Sequence, residues 1–116
     1  MLDACLIGGS KCTIKSWDGY RLNTKPHGPG TLVDTDGWTR QCTLNQGVIS
    51  GHSWGTGTYG TKYAQVYNAQ GMLHGTEVVF LPWGDVAIYV YNNGKQESHV
   101  DGMMCSYTWY ALIIVH

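Results

Sequence analysis

Residues 55 to 60 read GTGTYG, a match to the G-x-G-x-x-G pattern that cradles a dinucleotide pyrophosphate. That chemistry needs a strand before the glycines and a helix after them, because the phosphates sit on the unpaired amides of the helix N-terminus. The next residues are TKYAQVYNAQG, in which Tyr63, Gln65 and Tyr67 alternate with Ala64 and Val66 before a turn at Asn68 and Gly71. Alternation of this kind predicts a strand. No helix should begin at Gly60, Thr56 and Thr58 should share one strand face, and no cofactor is expected.

The other residues capable of chemistry are scattered. Five histidines are present, but none is spaced i, i+4 or H-x-H from another. Equivalent positions in stacked hairpins lie about 10 Å apart, whereas zinc ligands sit about 2 Å from their ion, so no metal site is expected. Ser53 in GHSWG has the spacing of a G-x-S-x-G nucleophile elbow, but that elbow is a strand-to-helix turn and helix is nearly absent from this sequence. Asp18, Asp36 and Asp101 each precede a glycine, which is turn chemistry first. These patterns argue against an enzyme. Cys5, Cys12, Cys42 and Cys105 could form two disulfides in three connectivities or remain buried thiols, and no C-x-x-C pair points to redox or zinc chemistry. An even count slightly favours an extracellular or assembly-associated protein over a cytoplasmic one.

Seven basic and eight acidic residues leave a formal charge of -1, which excludes the basic stripe of a nucleic-acid groove. Charged residues are only 13% of the chain, about half the usual share. A surface so short of charge has little repulsion to keep copies apart. No apolar run approaches the roughly 20 residues of a membrane-spanning helix.

The elements that would hold these residues come from an internal repeat. DGWTRQCTLNQGVISGH, YGTKYAQVYNAQGMLHG and WGDVAIYVYNNGKQESH align from Asp36, Tyr59 and Trp83. Each opens on a glycine turn at Gly37, Gly60 or Gly84, runs through β-type residues, and reaches a second turn ending on Gly47, Gly71 or Gly94. His27, His52, His74 and His99 keep the same rhythm, and a shorter unit leads from Ser16. About four hairpin units therefore cover residues 16–102. Hairpins are marginal alone, so they must stack. The expected fold is all-β, consecutive antiparallel hairpins forming an elongated twisted sheet or β-solenoid. Residues 1–15 and 103–116 are the atypical ends expected to act as caps or assembly segments.

YVYNNGK at residues 89–95, HGPG at 27–30 and the HG at 74–75 give the repeat its resemblance to the MORN family. That resemblance implies a sheet of tandem hairpins used as a scaffold for protein contacts, and no catalysis in the repeats themselves. Cys42 and Tyr89 stand where the family's mid-strand glycine is expected. The phrase YNAQGMLHG also resembles the hairpin repeats of choline- and glucan-binding modules, which implies ligand capture by aromatic side chains.

Alternation places Tyr63 and Tyr67 on one face of their strand and Tyr89 and Tyr91 on one face of theirs. Stacking would join them into a stripe that is either core or an exposed binding surface. Trp109 and Tyr110 extend the candidate interface into the apolar C-terminal segment. The function expected from sequence is a non-catalytic structural protein that self-assembles into an oligomer or filament, or scaffolds other proteins. The alternative is a carbohydrate- or lipid-binding repeat module.

Overall fold

The computed structural model describes residues 3–103, with side chains described through His99. Nine strands make one antiparallel meander in chain order. They are β1 (Asp3–Ile7), β2 (Ser10–Leu22), β3 (Lys25–Asp34), β4 (Thr39–Asn45), β5 (Val48–Thr56), β6 (Lys62–Tyr67), β7 (Gly75–Phe80), β8 (Asp85–Asn92) and β9 (Lys95–Met103). The described residues contain no helix, and so none long and apolar enough to cross a membrane.

Two kinds of turn drive the meander. Gly8-Gly9, Asn23-Thr24, Gln46-Gly47 and Asn93-Gly94 are two-residue connections with both φ angles positive, whose twist matches that of the strands they join. The others are three-residue loops closed by a left-handed glycine. In the first of them Gly37 donates its N–H to Asp34 O at 3.2 Å and Asp34 N bonds Trp38 O at 3.0 Å. The same pair of bonds recurs at Gly57–Thr61, Asn68–Met72 and Leu81–Asp85. Gly37, Gly60, Gly71 and Gly84 thus close one kind of turn, and Gly47 and Gly94 the other. The sequence alignment grouped Gly71 with Gly47 and Gly94. The extra residue in NAQG moves it to the longer kind, because Asn68 Oδ1 takes the amides of Gln70 and Met72 and winds the loop by one further position.

The sheet is not a solenoid. β1 returns to pair in parallel with the start of β5, Leu6 opposite Val48, with Leu6 N bonded to Gly47 O at 2.8 Å. That contact closes β1 to β5 into a five-stranded barrel. The physical reason is that β5 serves two neighbours on one edge: β1 at Val48, and β6 from Gly51 to Thr56. Between Gln41 and Thr43 the β4–β5 register slips, and the bend this bulge imposes brings the start of β5 round to β1. Closure wraps the inward residues Cys5, Ile14, Leu32, Cys42, Leu44 and Ile49 into a core in which each is at most 5% exposed. From β5 onward the sheet runs on as an open extension through β9.

A duplication underlies this arrangement. The β3–β4 pairing from Gly28 opposite Leu44 to Val33 opposite Thr39 recurs, pair for pair, in β7–β8 from Gly75 opposite Tyr91 to Phe80 opposite Val86. The next turn docks in the same way in both copies. Gly47 N bonds Pro26 O and Gly94 N bonds Leu73 O, while His27 Nδ1 accepts the amide of Gln46 and His74 Nδ1 that of Asn93. The four-histidine rhythm of the sequence therefore splits in two: His27 and His74 hold turns, whereas His52 lies in β5 and His99 in β9.

Candidate functional site

Cross-strand partners share a face. Tyr63 stands opposite Val79, which stands opposite Ala87, and Glu77 stands opposite Tyr89, which stands opposite His99. Tyr63, Tyr67, Tyr89 and Tyr91 accordingly lie on one face of the open extension, continuous with the inside of the barrel. They are not equally available. Tyr67 is 5% exposed, while Tyr63, Tyr89 and Tyr91 are half-buried.

These tyrosines surround a hydrogen-bonded chain that crosses the sheet. Arg40 on β4 lies 4.9 Å from the Trp38 ring centre and donates from Nη1 to Gln65 Oε1 at 2.9 Å. Gln65 Oε1 also accepts the Tyr67 hydroxyl at 2.7 Å, and Gln65 Nε2 donates to Glu77 Oε2. Tyr91 hydrogen-bonds Glu77 as well. Trp38 and Tyr63 pack with ring centres 4.7 Å apart, and Tyr89 stacks on His99 at 4.5 Å with the rings parallel.

The electrostatics are those of a structural network. Burial pushes the Tyr67 hydroxyl up to about 12, and burial with the Glu77 carboxylate nearby raises Tyr63 and Tyr91. All three hydroxyls stay protonated at neutral pH, and that of Tyr67 donates to Gln65. Glu77 is 7% exposed and already receives Gln65 and Tyr91. Arg40 Nε and Ser53 Oγ are buried without a protein hydrogen-bond partner, beside this chain.

A cleft of about 480 Å³ opens at the barrel mouth, lined by Ile7, Lys11, Cys12, Asp34, Trp38 and Arg40 among others. Asp34 is fully engaged there. Its Oδ1 takes the amides of Asp36 and Trp38, and its Oδ2 takes the Cys12 thiol at 3.4 Å. Burial and the Asp34 carboxylate raise the Cys12 pKa, so its thiolate, the nucleophilic form, is suppressed. Burial likewise pushes Cys5 up to about 12 and Cys42 to about 11. All three are free thiols, with Cys5 directly opposite Cys12 across β1–β2. No three His, Cys, Asp or Glu side chains converge on a metal position among the described residues.

The glycine string 55–60 is divided between the end of β5 at Thr56 and the turn at Gly57–Thr61. β6 comes next, and no helix begins there. Thr58 sits in the turn with its methyl against Gly37, so it does not share a strand face with Thr56 as the sequence suggested. Cys105, Trp109 and Tyr110 lie outside the described residues.

Among the exposed aromatics, two that sit on turns were not candidates from the sequence. Tyr59 is 91% exposed and Trp83 70% exposed. Each occupies the residue just before the closing glycine in neighbouring three-residue turns, where the side chain projects into solvent. That placement next to the turn glycine was the available signal. Trp83 Nε1 donates to Asp85 Oδ2 at 2.6 Å, which fixes its indole. A Cβ at Gly60 would lie 3.8 Å from Pro82, so the two turns are side by side.

No protein-family model matches this chain, and no curated protein matches it either.

Proposed function

We propose that this chain is a non-catalytic structural protein whose extended sheet mediates protein–protein contacts, first with other copies of itself. The observation that carries this reading is the end of the sheet. β9 is hydrogen-bonded to β8 on one side and to no other described strand, and the side chains of Lys95 to His99 are all exposed. A strand so placed offers a row of backbone donors and acceptors. The tandem pairing of β3–β4 and β7–β8 supports a hairpin scaffold of the kind that the MORN resemblance implies. The potentially reactive groups are occupied in holding strands together: Glu77 by Gln65 and Tyr91, Asp34 by Cys12 and two turn amides. Light scattering of the purified chain over a concentration series tests the reading. Species larger than one chain are expected, and a persistent monomer overturns it.

Tyr59 and Trp83 favour a second reading, a carbohydrate-binding module. Exposed rings on side-by-side turns, one of them pinned by a carboxylate, offer flat apolar surface for the face of a sugar. A glycan array followed by tryptophan fluorescence titration with the Trp83→Ala variant as control checks it; loss of binding in that variant is the result expected.

A further inference from the structure

The turns after β3, β5 and β7 form a row at one end of the sheet, each separated from the next by two strands. All three carry the same pair of backbone bonds, at Asp34–Trp38, Gly57–Thr61 and Leu81–Asp85. Neighbouring turns in the row are side by side. A Cβ at Gly37 would sit 2.8 Å from the Thr58 methyl, and one at Gly60 would sit 3.8 Å from Pro82. The position just before the closing glycine is Asp36 in the first turn, Tyr59 in the second and Trp83 in the third, and all three side chains are exposed. Because the turns share one geometry, these side chains leave the sheet from equivalent points, about 10 Å apart at two strand spacings.

Two exposed rings held at a fixed interval suit a ligand that repeats at that interval. In a β-1,4-linked chain of pyranoses each ring is turned over relative to the next, so every second sugar offers the same apolar face on the same side. That repeat matches two strand spacings. Three consecutive sugars are then the shortest chain that reaches both Tyr59 and Trp83, and two are too few. The Trp83 indole is already fixed by its bond to Asp85 Oδ2 at 2.6 Å, so little side-chain freedom is lost when a sugar stacks on it. The charged groups on and just after these turns are Asp36, Lys62 and Asp85. With acidic groups in the majority, the row is unsuited to an anionic lipid surface, which attracts clustered basic residues. Carboxylates do suit a neutral sugar, since they accept from its hydroxyls.

We propose that the row formed by Asp36, Tyr59 and Trp83 is a binding site for a linear, neutral, β-1,4-linked glycan. Alternate sugars stack on Trp83 and Tyr59, and a hydroxyl further along the chain donates to Asp36. The inference rests on the carbohydrate-binding reading above and adds the shape of the ligand and the positions at which it is held.

Isothermal titration of the full chain with the disaccharides and tetrasaccharides of the cello- and chito-oligosaccharide series tests this, with the α-1,4-linked maltotetraose as control. In at least one β-1,4 series the tetrasaccharide should bind about tenfold more tightly than the disaccharide. Tyr59→Ala and Trp83→Ala, both at exposed positions and both checked for the natural circular dichroism spectrum, should each weaken tetrasaccharide binding by about tenfold and remove its advantage over the disaccharide. If neither β-1,4 tetrasaccharide binds, if length gives no gain, if maltotetraose binds as well, or if Tyr59→Ala changes nothing, this inference falls, while a positive glycan array leaves the broader carbohydrate-binding reading standing. Cosedimentation with phosphatidylcholine vesicles that is lost in Trp83→Ala, with no tetrasaccharide bound, overturns it in favour of a membrane surface. A glycan array on which nothing binds removes both the inference and the reading beneath it.

Discussion

His74 accepts the amide N–H of Asn93 on its Nδ1 at 3.0 Å, across 19 residues of chain, and His27 does the same for Gln46 over the same separation. An accepting Nδ1 requires the imidazole to be neutral with its proton on Nε2. The side chain thereby holds a turn whose strand partners lie far away in sequence. His74→Ala and His27→Ala should each cost about 1 kcal/mol in urea denaturation. Faster amide exchange should be confined to the turn each one holds: Asn93-Gly94 in the first variant, Gln46-Gly47 in the second. Uniform acceleration across the sheet would show that the histidines act through general packing instead.

Trp17 lies flat against Gly19 and Gly30 and donates its Nε1 to Tyr20 O at 2.8 Å. A Cβ at Gly30 would sit 2.5 Å from Asp18 O and 2.6 Å from the indole. Backbone cannot yield there without parting β2 from β3. Gly30→Ala should therefore destabilise the chain by about 2 kcal/mol. Gly84→Ala serves as a comparison: its Cβ meets nothing within 4 Å, so its cost comes from the positive φ alone.

Glu77 gathers Gln65 and Tyr91, and Gln65 gathers Arg40 and Tyr67. Truncating Glu77 to Ala strands two donors in a region with little water and should cost about 3 kcal/mol by thermal or chemical denaturation. Glu77→Gln, which keeps the shape and an acceptor, should cost less. Because the carboxylate raises both Tyr63 and Tyr91, its removal should also lower the pH at which these tyrosines ionise, read by absorbance near 295 nm. An unchanged titration would mean that burial alone sets it.

Burial pushes Cys5 up to about 12, Cys42 to about 11 and Tyr67 to about 12. An unfolded thiol titrates near 8.5 and an unfolded tyrosine near 10. The folded state therefore holds more protons than the unfolded one between these values. Its stabilisation is complete below about pH 8.5 and is lost as pH rises through 11 to 12. Urea midpoints should be level with respect to these groups from pH 7 to 8 and fall above pH 9. In native protein at pH 8, iodoacetamide should label Cys12 ahead of Cys5 and Cys42, by site-resolved mass spectrometry. Rapid labelling of Cys5 in folded protein would show that the barrel opens readily.

The all-β character, the absence of a helix after Gly60, and the left-handed turns at Gly37, Gly47, Gly60, Gly71, Gly84 and Gly94 were legible in the sequence, because each depends on a few adjacent residues. Alternation likewise placed Tyr63, Tyr67, Tyr89 and Tyr91 on a common face. Which kind of turn Gly71 closes was less plain, since it depends on the Asn68 carbonyl catching two amides. Three outcomes belong to the tertiary structure alone: closure of the barrel through Leu6 and Val48, burial of Tyr67 but not of Tyr89, and the assembly of Arg40, Gln65 and Glu77 from three strands. Local pattern specifies turns and faces, whereas closure depends on the bend of β5 and on which strand reaches its edge. That is a contest among distant segments which no short window of sequence records.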